Sequence, residues 1–312
     1  MPAPCFPPAE PAELSASAFR IVLVDLAIRA LGRACEASSF LARGLRRARF
    51  KGRCRIVNAM RRVPFPPELT AECGGLRFDL DLRDDVQRGI YFECYEPRDL
   101  SLVSSLVGEG ATCVDVGANV GFYTLHFAKR VGPRGRVFAV EPDPRNASRL
   151  RRNLVLNRFD AFVQVADAAI SDKDGRAALH RSDETHSGWG SLAAHAGETS
   201  TVEVPTFALD SFLDVRGIDR VDLLKADVEG SEIELLRGAE RSLRQGRFRY
   251  LFIEFNGVRL AERGLGLEDF MTPLEKAGYR PAGAHAELVD RMRRGVIPSH
   301  TVWPNLLFEP RD

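Results

Sequence analysis

The stretch VDVGANVGFY (Val114–Tyr123) decides the fold of this chain. Apolar residues run into a glycine turn, and a helical pattern follows it from 124 to 130. A second apolar stretch, 137–140, then ends in Glu141. A strand, a glycine loop, a helix and a strand that ends in an acid form the first half of a nucleotide-type α/β fold.

The same residues predict the kind of ligand. Gly117 and Gly121 let the backbone approach a ligand where a Cβ would collide. Unpaired N–H groups at the start of the next helix can hold an anionic group. Glu141 would lie at the carboxyl edge of the second strand, where a carboxylate can accept both hydroxyls of a ribose. The pattern therefore predicts a nucleoside ligand.

The glycine turn favours one nucleoside over another. A dinucleotide fingerprint needs G-x-G-x-x-G, and Asp115 stands where its first glycine would be. A carboxylate there would repel a pyrophosphate and suits the ammonium of S-adenosyl-L-methionine, which Asp115 could face directly or through water. Backbone N–H groups from Gly117 to Gly121 would face the carboxylate of that ligand. An NAD(P)-binding Rossmann oxidoreductase remains the alternative, since it too would use Glu141 on ribose.

Two further strand ends carry acids. Asp167 follows the third predicted strand and could accept a hydrogen bond from the adenine amino group, or it could cap a turn. The run from Asp222 to Glu232 delivers Lys225, Asp227 and Glu229 to the same sheet edge. Carboxylates crowded at such a rim are costly unless they bind a cation, a lysine or hydroxyls. Glu232 is interpreted as a favourable acid in the first turn of a helix.

The bulk composition narrows the class of protein. The chain has 312 residues, 45% hydrophobic and 28% charged, with a formal net charge of +1. This is the composition of an ordinary globular protein, and it implies no general attraction to nucleic acid. The six cysteines are widely spread, which argues against a zinc site and a disulfide framework and favours a cytoplasmic location.

Four segments are predicted along the chain. Residues 1–11 are rich in proline, which is typical of a disordered tail. Residues 12–63 are expected to form a basic helical extension, 64–110 a β/α lead-in, and 111–312 the catalytic domain. Arg43–Arg55 carries many arginines and no acid, which fits either a weak contact with a membrane surface or a protein, or a solvated linker helix.

Strands and helices alternate after residue 110, which predicts a mainly parallel sheet with helices on both faces. A strand is also expected at Leu76–Leu82 and a helix at Arg98–Val107. The expected strands of the sheet are 112–116, 136–141, 161–166, 221–226 and 249–255, with closing strands at 301–302 and 306–308. The expected helices are 120–130, 144–156, 230–244 and 267–277.

An ordered set of motifs resembles the FkbM-type family of S-adenosylmethionine-dependent methyltransferases over roughly residues 90–260. The match rests most on K-A-D-V-E-G-S-E at Lys225–Glu232. Its other members are Tyr95–Pro97, Cys113–Gly121, Glu141–Pro144, Asn153, Asn157, Ala169–Asp172, Leu209–Asp210 and Ile253–Glu254. Ala226 departs from the branched apolar residue more usual in that family, which puts no chemistry in doubt.

The resemblance implies the class I methyltransferase fold, Rossmann-like with seven strands, and S-adenosyl-L-methionine as donor. It implies, less firmly, O-methylation of a hydroxyl on a sugar, glycan or secondary metabolite. By position it assigns five residues to the cofactor, namely Asp115, Gly117, Asn119, Gly121 and Glu141. It places Lys225, Asp227 and Glu229 at the cofactor rim or on the acceptor side.

Methyl transfer to an alcohol needs alignment of oxygen, methyl carbon and sulfur, and removal of the hydroxyl proton. Our hypothesis is that Asp227 or Glu229 takes that proton while Lys225 sets the local field. His126 and His186 are alternative bases, and Tyr91 and Trp189 could stack on the acceptor. No metal site is predicted.

Two other interpretations stay open beside the oxidoreductase. One is a protein that binds S-adenosylmethionine without catalysis. The other keeps the methyltransferase and tethers it through the N-terminal basic helix. The identity of the acceptor, a small molecule or a glycan, is not encoded in any residue type that we can single out.

Overall fold

The computed structural model describes residues 68–181, 190–192 and 199–311, with the single positions 26, 27, 30, 44, 46, 54 and 57. The chain divides into two compact units, Met1–Phe65 and Pro66–Asp312. The predicted tail at 1–11 and most of the basic stretch Arg43–Arg55 lie outside the described residues. All strands of the described residues belong to the second unit.

The lead-in starts with a hairpin of β1 (Leu69–Cys73) and β2 (Leu76–Leu80), followed by α1 (Asp85–Tyr91) and α2 (Pro97–Leu106). The strands are antiparallel with Cys73 opposite Leu76, and both glycines between them have positive φ. That geometry is the two-residue turn that suits the twist of a hairpin. The strand and helix expected here are confirmed, whereas β1 and α1 were not expected.

The first half of the main domain follows the predicted alternation. It comprises β3 (Thr112–Val116), α3 (Phe122–Val131), β4 (Arg136–Val140), α4 (Pro144–Asn157) and β5 (Val163–Ala166). The strands are short runs of apolar residues because helices cover both faces of the sheet. Asp143 caps α4 by accepting the Arg145 N–H, and Pro144 occupies the first turn, where its missing N–H costs nothing.

A small separate sheet comes next, made of β6 (Ala169–Ser171), β7 (Gly175–Arg181) and β8 (Ser200–Ala208). Its order is β6-β8-β7, with β8 parallel to β6 and antiparallel to β7. We did not expect these strands, because their polar residues and the long connection between β7 and β8 resemble a loop.

The second half completes the domain. Its elements are α5 (Leu209–Val215), β9 (Val221–Ala226), α6 (Glu232–Gly238), α7 (Glu240–Arg244), β10 (Phe248–Glu254), α8 (Gly257–Glu262), α9 (Leu267–Lys276), β11 (Tyr279–Pro281), α10 (Ala284–Arg293), a 3-10 turn (Ser299–Thr301) and β12 (Asn305–Pro310). The helix expected over 230–244 is divided at Ala239.

The main sheet has seven strands in the order β11-β12-β10-β9-β3-β4-β5. The pairs from β10 through β5 are parallel, and β12 runs antiparallel to both of its neighbours. The predicted fold class, a seven-stranded, mainly parallel class I methyltransferase sheet, is confirmed. The closing strand expected at 301–302 was wrong, because that segment ends a 3-10 turn and β11 takes its place in the sheet.

Two further properties of the described part of the chain concern its helices and its cysteines. None of its helices combines the length and the hydropathy that crossing a bilayer requires. Cys113 is a buried free thiol, whereas Cys94 is disulfide-bonded. The spacing of the cysteines in the sequence did not predict this disulfide.

The sheet order determines where chemistry can occur. The carboxyl ends of β4, β3, β9 and β10 lie side by side. Acidic residues follow β4 and β9 directly, Glu254 ends β10, and Asp115 is the last residue but one of β3. The Asp227 N–H donates to the Val116 carbonyl at 3.1 Å, which ties the end of β9 to the start of the glycine loop. Ligands of open α/β sheets bind at this edge.

Candidate active site

The glycine loop crosses the end of β9 at close range. Gly117 has φ +74, and a Cβ built on it would lie 1.8 Å from the Asp227 carbonyl oxygen. Gly121 has φ +93, and a Cβ there would meet the side chains of Leu125 and Leu150. The two glycines predicted to serve close approach are therefore required first by the packing of the protein on itself.

The loop N–H groups are already used inside the protein. Gly117 and Ala118 donate to the Val140 carbonyl at 2.9 and 3.1 Å, and Gly121 donates to the Ala118 carbonyl. Asn119 donates to Glu141 Oε2, and the next N–H, of Val120, donates to the Asn119 side chain. In this conformation the N–H groups from Gly117 to Gly121 have acceptors within the protein, and their contact with the ligand stays a prediction. Among the described residues, the N–H groups of the following helical turn, at 122 and 123, have no acceptor.

Glu141 lies where the sequence predicted, directly after β4. Its carboxylate accepts the Asn119 N–H at 2.7 Å and the Asp143 N–H at 2.8 Å, so its orientation is determined from two sides. Burial raises the pKa of Glu141 to about 7, although both N–H bonds favour the ionised form. A carboxylate held in this way can present its remaining lone pairs to a diol.

Asp115 is sealed in the interior at 0% exposure. Its Oδ2 accepts the Thr124 hydroxyl, and its Oδ1 lies 3.9 Å from the Lys225 ammonium without a hydrogen bond. Burial raises the pKa of Asp115, while Lys225 and the Thr124 bonds lower it. The contact between Asp115 and the cofactor ammonium stays a prediction.

Lys225 is the cation at the centre of the site. Its Nζ lies 3.5 Å from Asp227 Oδ2, 3.9 Å from Asp115 Oδ1 and 5.1 Å from the centre of the Tyr123 ring. Burial alone would lower the pKa of Lys225, but the surrounding carboxylates, Asp227 first, raise it overall. The predicted proximity of Lys225 and Asp227 is therefore present as an ion pair.

Three carboxylates meet beyond Lys225. Oxygen atoms of Asp227, Glu229 and Glu254 all lie within 4.8 Å of one another. Asn256 Nδ2 donates to Glu229 Oε2 at 3.0 Å and to Glu254 Oε2 at 3.3 Å, so it links two of them. Burial, and then Asp227, raise the pKa of both Glu229 and Glu254 well above the ordinary value. We call Asp227, Glu229 and Glu254 the carboxylate cluster.

The carboxylate cluster can act chemically in two ways. A carboxyl group whose pKa is raised by burial suits proton transfer. Three oxygen ligands also match what a hard divalent cation binds. No metal was expected from the sequence, and Glu254 received no role there. The signal for Glu254 was available, because it ends β10 as Glu141 follows β4.

Glu96 is a second residue that received no role. Glu96 precedes α2 with φ 38, a backbone conformation that residues other than glycine rarely adopt. Its Oε2 accepts the Tyr123 hydroxyl at 2.6 Å. Burial and the nearby Asp227 raise the pKa of Glu96 to about 7, partly offset by Tyr123 and Lys225. The motif at Tyr95–Pro97 was the only signal of it in the sequence.

The remaining candidates are dispersed. Asp167 follows β5 on the surface and pairs with Arg151 at 2.8 Å, so its contact with adenine stays a prediction. His126 lies on α3, and its Nδ1 is 2.7 Å from the Phe122 carbonyl oxygen. Tyr91 is buried at 5% exposure. His186 and Trp189 lie outside the described residues.

Residues 115–281, just over half of the chain, match the family model described as the methyltransferase FkbM domain. The chain belongs to this family. The resemblance carried by the ordered motifs is thereby confirmed, and S-adenosyl-L-methionine is the methyl donor. Methyltransferase membership replaces the oxidoreductase alternative.

Several named relatives share this domain. The 2-O-methyltransferase NoeI of Sinorhizobium fredii is 29% identical over 208 residues, which cover 61% of this chain and 83% of NoeI. Methyltransferase 1 of Beauveria bassiana is 32% identical over 41% of this chain and 57% of its own length. The 31-O-demethyl-FK506 methyltransferase FkbM of Streptomyces tacrolimicus is 30% identical over 42% and 60%. The chain thus spans less than two thirds of the last two relatives.

Among solved structures, fibrillarin of Aeropyrum pernix with bound S-adenosyl-L-methionine aligns over 69% of this chain and 74% of its own. The TM-score is 0.39 and the sequence identity 16%.

Proposed function

We propose that this methyltransferase is an O-methyltransferase that acts on a hydroxyl of a sugar, a glycan or a secondary metabolite. The observation that carries the proposal is the carboxylate cluster beside Lys225, at the sheet edge where the methyl group of the donor would arrive. The names of two relatives, a 2-O-methyltransferase and a 31-O-demethyl-FK506 methyltransferase, support oxygen as the acceptor atom.

The reaction requires one proton acceptor. The hydroxyl oxygen attacks the methyl carbon, the bond from carbon to sulfur breaks, and S-adenosylhomocysteine leaves with the electron pair of that bond. The hydroxyl proton passes to a carboxylate, for which Asp227 and Glu229 are the candidates. Lys225 forms an ion pair with Asp227, since its ammonium lies 3.5 Å from the carboxylate. The ring face of Tyr123 and the neighbouring acids in turn hold Lys225 charged.

The cluster also suits an acceptor with several hydroxyls. Adjacent carboxylate oxygens can accept hydrogen bonds from neighbouring hydroxyls of one ring. Such a contact would replace the repulsion within the cluster by favourable bonds. A polyhydroxylated acceptor is therefore favoured, whether it is free, part of a glycan or attached to a larger metabolite.

The test is methyl transfer from isotope-labelled S-adenosyl-L-methionine to a panel of glycosides and polyhydroxylated metabolites. Each acceptor is paired with its deoxy analogue at the candidate position, and products are located by NMR. We expect labelled methyl ether on the hydroxylated member of a pair and none on its deoxy partner. Label on nitrogen or carbon would contradict O-methylation. Donor binding without any transfer across the panel would favour the non-catalytic alternative.

The role of the cluster has its own test. Replacing Asp227 by Asn (D227N) should lower the single-turnover rate by about 10²–10⁴-fold, the usual range for a lost general base. Affinity for S-adenosylhomocysteine should change little. The matched control is Asp219→Asn, whose side chain is 98% exposed. If D227N loses affinity for S-adenosylhomocysteine and keeps its single-turnover rate, Asp227 belongs to the donor site and Glu229 becomes the candidate base.

The cytoplasmic location and the tethering role of Arg43–Arg55 stay proposals. Deleting residues 1–55 and measuring binding to anionic vesicles would test the second of them.

A further inference from the structure

The methionine end of the donor places a demanding pair of charges in the site. Its ammonium and its carboxylate are bonded to one carbon, so their partners must lie within a few ångströms of each other. An ammonium that leaves water requires a charged acceptor to offset its desolvation. The question is which carboxylate near the glycine loop has an oxygen to offer.

Asp115 is poorly placed to be that acceptor. One of its oxygens is used by the Thr124 hydroxyl, and the other faces the Lys225 ammonium at 3.9 Å. Asp115 has 0% exposure, so no ligand atom reaches it in this conformation. A second ammonium brought to the same oxygen would also be repelled by Lys225.

The acids of the carboxylate cluster also have partners within the protein. Asp227 pairs with Lys225, and Glu229 and Glu254 are linked to each other by Asn256. Their position at the ends of β9 and β10 is where the acceptor hydroxyl has to be deprotonated. An ammonium placed there would compete with the acceptor.

Glu96 meets the requirement. Tyr123 donates its hydroxyl to Glu96 Oε2, and this tyrosine is the second residue of α3, in the helical turn that follows the glycine loop. Among the described residues, Glu96 Oε1 has no hydrogen-bond partner, and the side chain is only half-buried. Among the described residues, the N–H groups of Phe122 and Tyr123 are the open donors of that helix start.

We propose that Glu96 is the residue that binds the α-ammonium of S-adenosyl-L-methionine, positioned by its hydrogen bond from Tyr123. The carboxylate of the same methionine carbon then lies against the open N–H groups of Phe122 and Tyr123. Asp115 orients Lys225 and the first turn of α3, and does not touch the donor. Because the identity of the donor is established by the family, this role of Glu96 does not depend on the acceptor.

The surroundings of Glu96 support a cationic ligand. The carboxylate of Glu96 is repelled by that of Asp227 and, more weakly, by that of Glu254. The Lys225 ammonium offsets part of this repulsion. Asp99 adds a further negative charge from α2. Burial and these acids together raise the pKa of Glu96 to about 7, so the free protein holds the carboxyl partly protonated. The ammonium of the donor would offset this repulsion and stabilise the ionised form of Glu96.

The experiment compares two ligands and needs no acceptor. S-adenosylhomocysteine carries the amino-acid end, and 5′-methylthioadenosine keeps the adenosine and the sulfur without it. Calorimetric titration at pH 8 measures both in the wild-type chain and in Glu96→Gln. Glutamine keeps the shape and can still accept the Tyr123 hydroxyl, but it lacks the charge. Glu109→Gln, at an exposed position, is the matched control.

We expect Glu96→Gln to weaken S-adenosylhomocysteine by about tenfold, the difference between a charged and a neutral hydrogen bond. Its affinity for 5′-methylthioadenosine should stay unchanged, as should both affinities in Glu109→Gln. Desamino-S-adenosylhomocysteine, which lacks only the amino group, should bind wild type and Glu96→Gln alike.

Two results would overturn the proposal. Unchanged S-adenosylhomocysteine affinity would remove Glu96 from the donor site and make it a candidate base on the acceptor side. Equal weakening of the binding of both ligands would show a general distortion of the site. The conservative variant Glu96→Asp would establish that distortion if it too bound both ligands equally weakly. Neither result affects the assignment of O-methylation.

Discussion

Gly117 brings two backbone segments closer together than any side chain permits. Its φ of +74 and the 1.8 Å that would separate an added Cβ from the Asp227 carbonyl oxygen leave room for hydrogen alone. The contact sets the distance between the glycine loop, where the donor binds, and the end of β9, where the acceptor is expected. One residue therefore controls the relation between the two halves of the site.

Gly117→Ala should consequently disturb both stability and donor binding. We expect a loss of roughly 3 kcal/mol in the free energy of unfolding, because left-handed strain adds to a collision with backbone. Affinity for S-adenosylhomocysteine should fall together with it. Chemical denaturation and calorimetry measure the two effects. Gly108→Ala, where a Cβ meets nothing within 4 Å, is the control and should change stability by less than about 0.5 kcal/mol.

At the scale of elements, α4 joins the hairpin to the glycine loop through two asparagines. Asn153 Oδ1 accepts the Asp79 N–H at 2.6 Å, and its Nδ2 donates to the Val120 carbonyl at 2.9 Å. Asn157 in the same way accepts the Arg77 N–H and donates to the Arg77 carbonyl. The side chains of α4 thus continue the hydrogen bonding of β2 along its free edge. This explains physically why both asparagines belong to the family motifs.

Asn153→Ala tests that connection. The change leaves the Asp79 N–H and the Val120 carbonyl without partners, and Asn153 has 0% exposure. We expect a loss of about 2–3 kcal/mol in unfolding free energy and weaker binding of S-adenosylhomocysteine, because Val120 lies in the glycine loop. Asn157→Ala, nearer the solvent, should cost less than about 1 kcal/mol and leave binding intact. Equal effects of the two variants would refute the link between hairpin and loop.

Prediction of elements from the sequence succeeded where a segment is buried on both faces. The strands β3, β4 and β9 begin at the expected residues. Each is a mainly apolar run that is followed directly by a glycine or an acidic residue, so its position can be predicted from the sequence. The small sheet of β6, β7 and β8 was missed because its strands are half-exposed and depend on pairing between distant segments. The same holds for β11, a three-residue strand that exists only because β12 lies beside it.

At the scale of the whole molecule, acidic and basic residues are nearly equal in number but unevenly distributed. The net charge is +1, yet buried acids gather along one edge of the sheet. Burial raises the pKa of Glu96 and Glu141 to about 7 and that of Glu232 to about 8. Among the described residues, Lys225 is the lysine that lies within this group of acids.

Stability should therefore depend on pH in a defined direction. A carboxyl group whose pKa is higher in the folded than in the unfolded state binds more protons when folded, so its contribution is lost as pH rises through the folded pKa. The half-buried histidines His126 and His285 have lowered pKa values and act in the opposite sense, but only below about pH 6.5, where an unfolded histidine is charged. The window in which the acids act alone is about pH 7–8.5.

We expect the melting temperature of the ligand-free protein to fall by on the order of 5 °C across this window. Glu232→Gln should reduce the slope and raise the melting temperature at pH 8, because glutamine can still accept the Gly230 N–H and carries no charge. Differential scanning calorimetry at constant ionic strength makes the measurement. Glu240→Gln, on an exposed part of the following helix, should leave the slope unchanged. A melting temperature that is flat or rises with pH would contradict this expectation.

The sequence by itself determined the fold class, the family, the donor and the strand that carries Lys225 and leads into Asp227. Those properties follow from local patterns, since apolar runs, glycines and strand-end acids act within a few residues. Only the tertiary structure decided that the loop N–H groups are used internally, that Glu254 joins Asp227 and Glu229, and that Glu96 reaches Tyr123. Each of these depends on segments far apart in the chain, whose distance is determined by the order of strands and by the packing of backbone at Gly117.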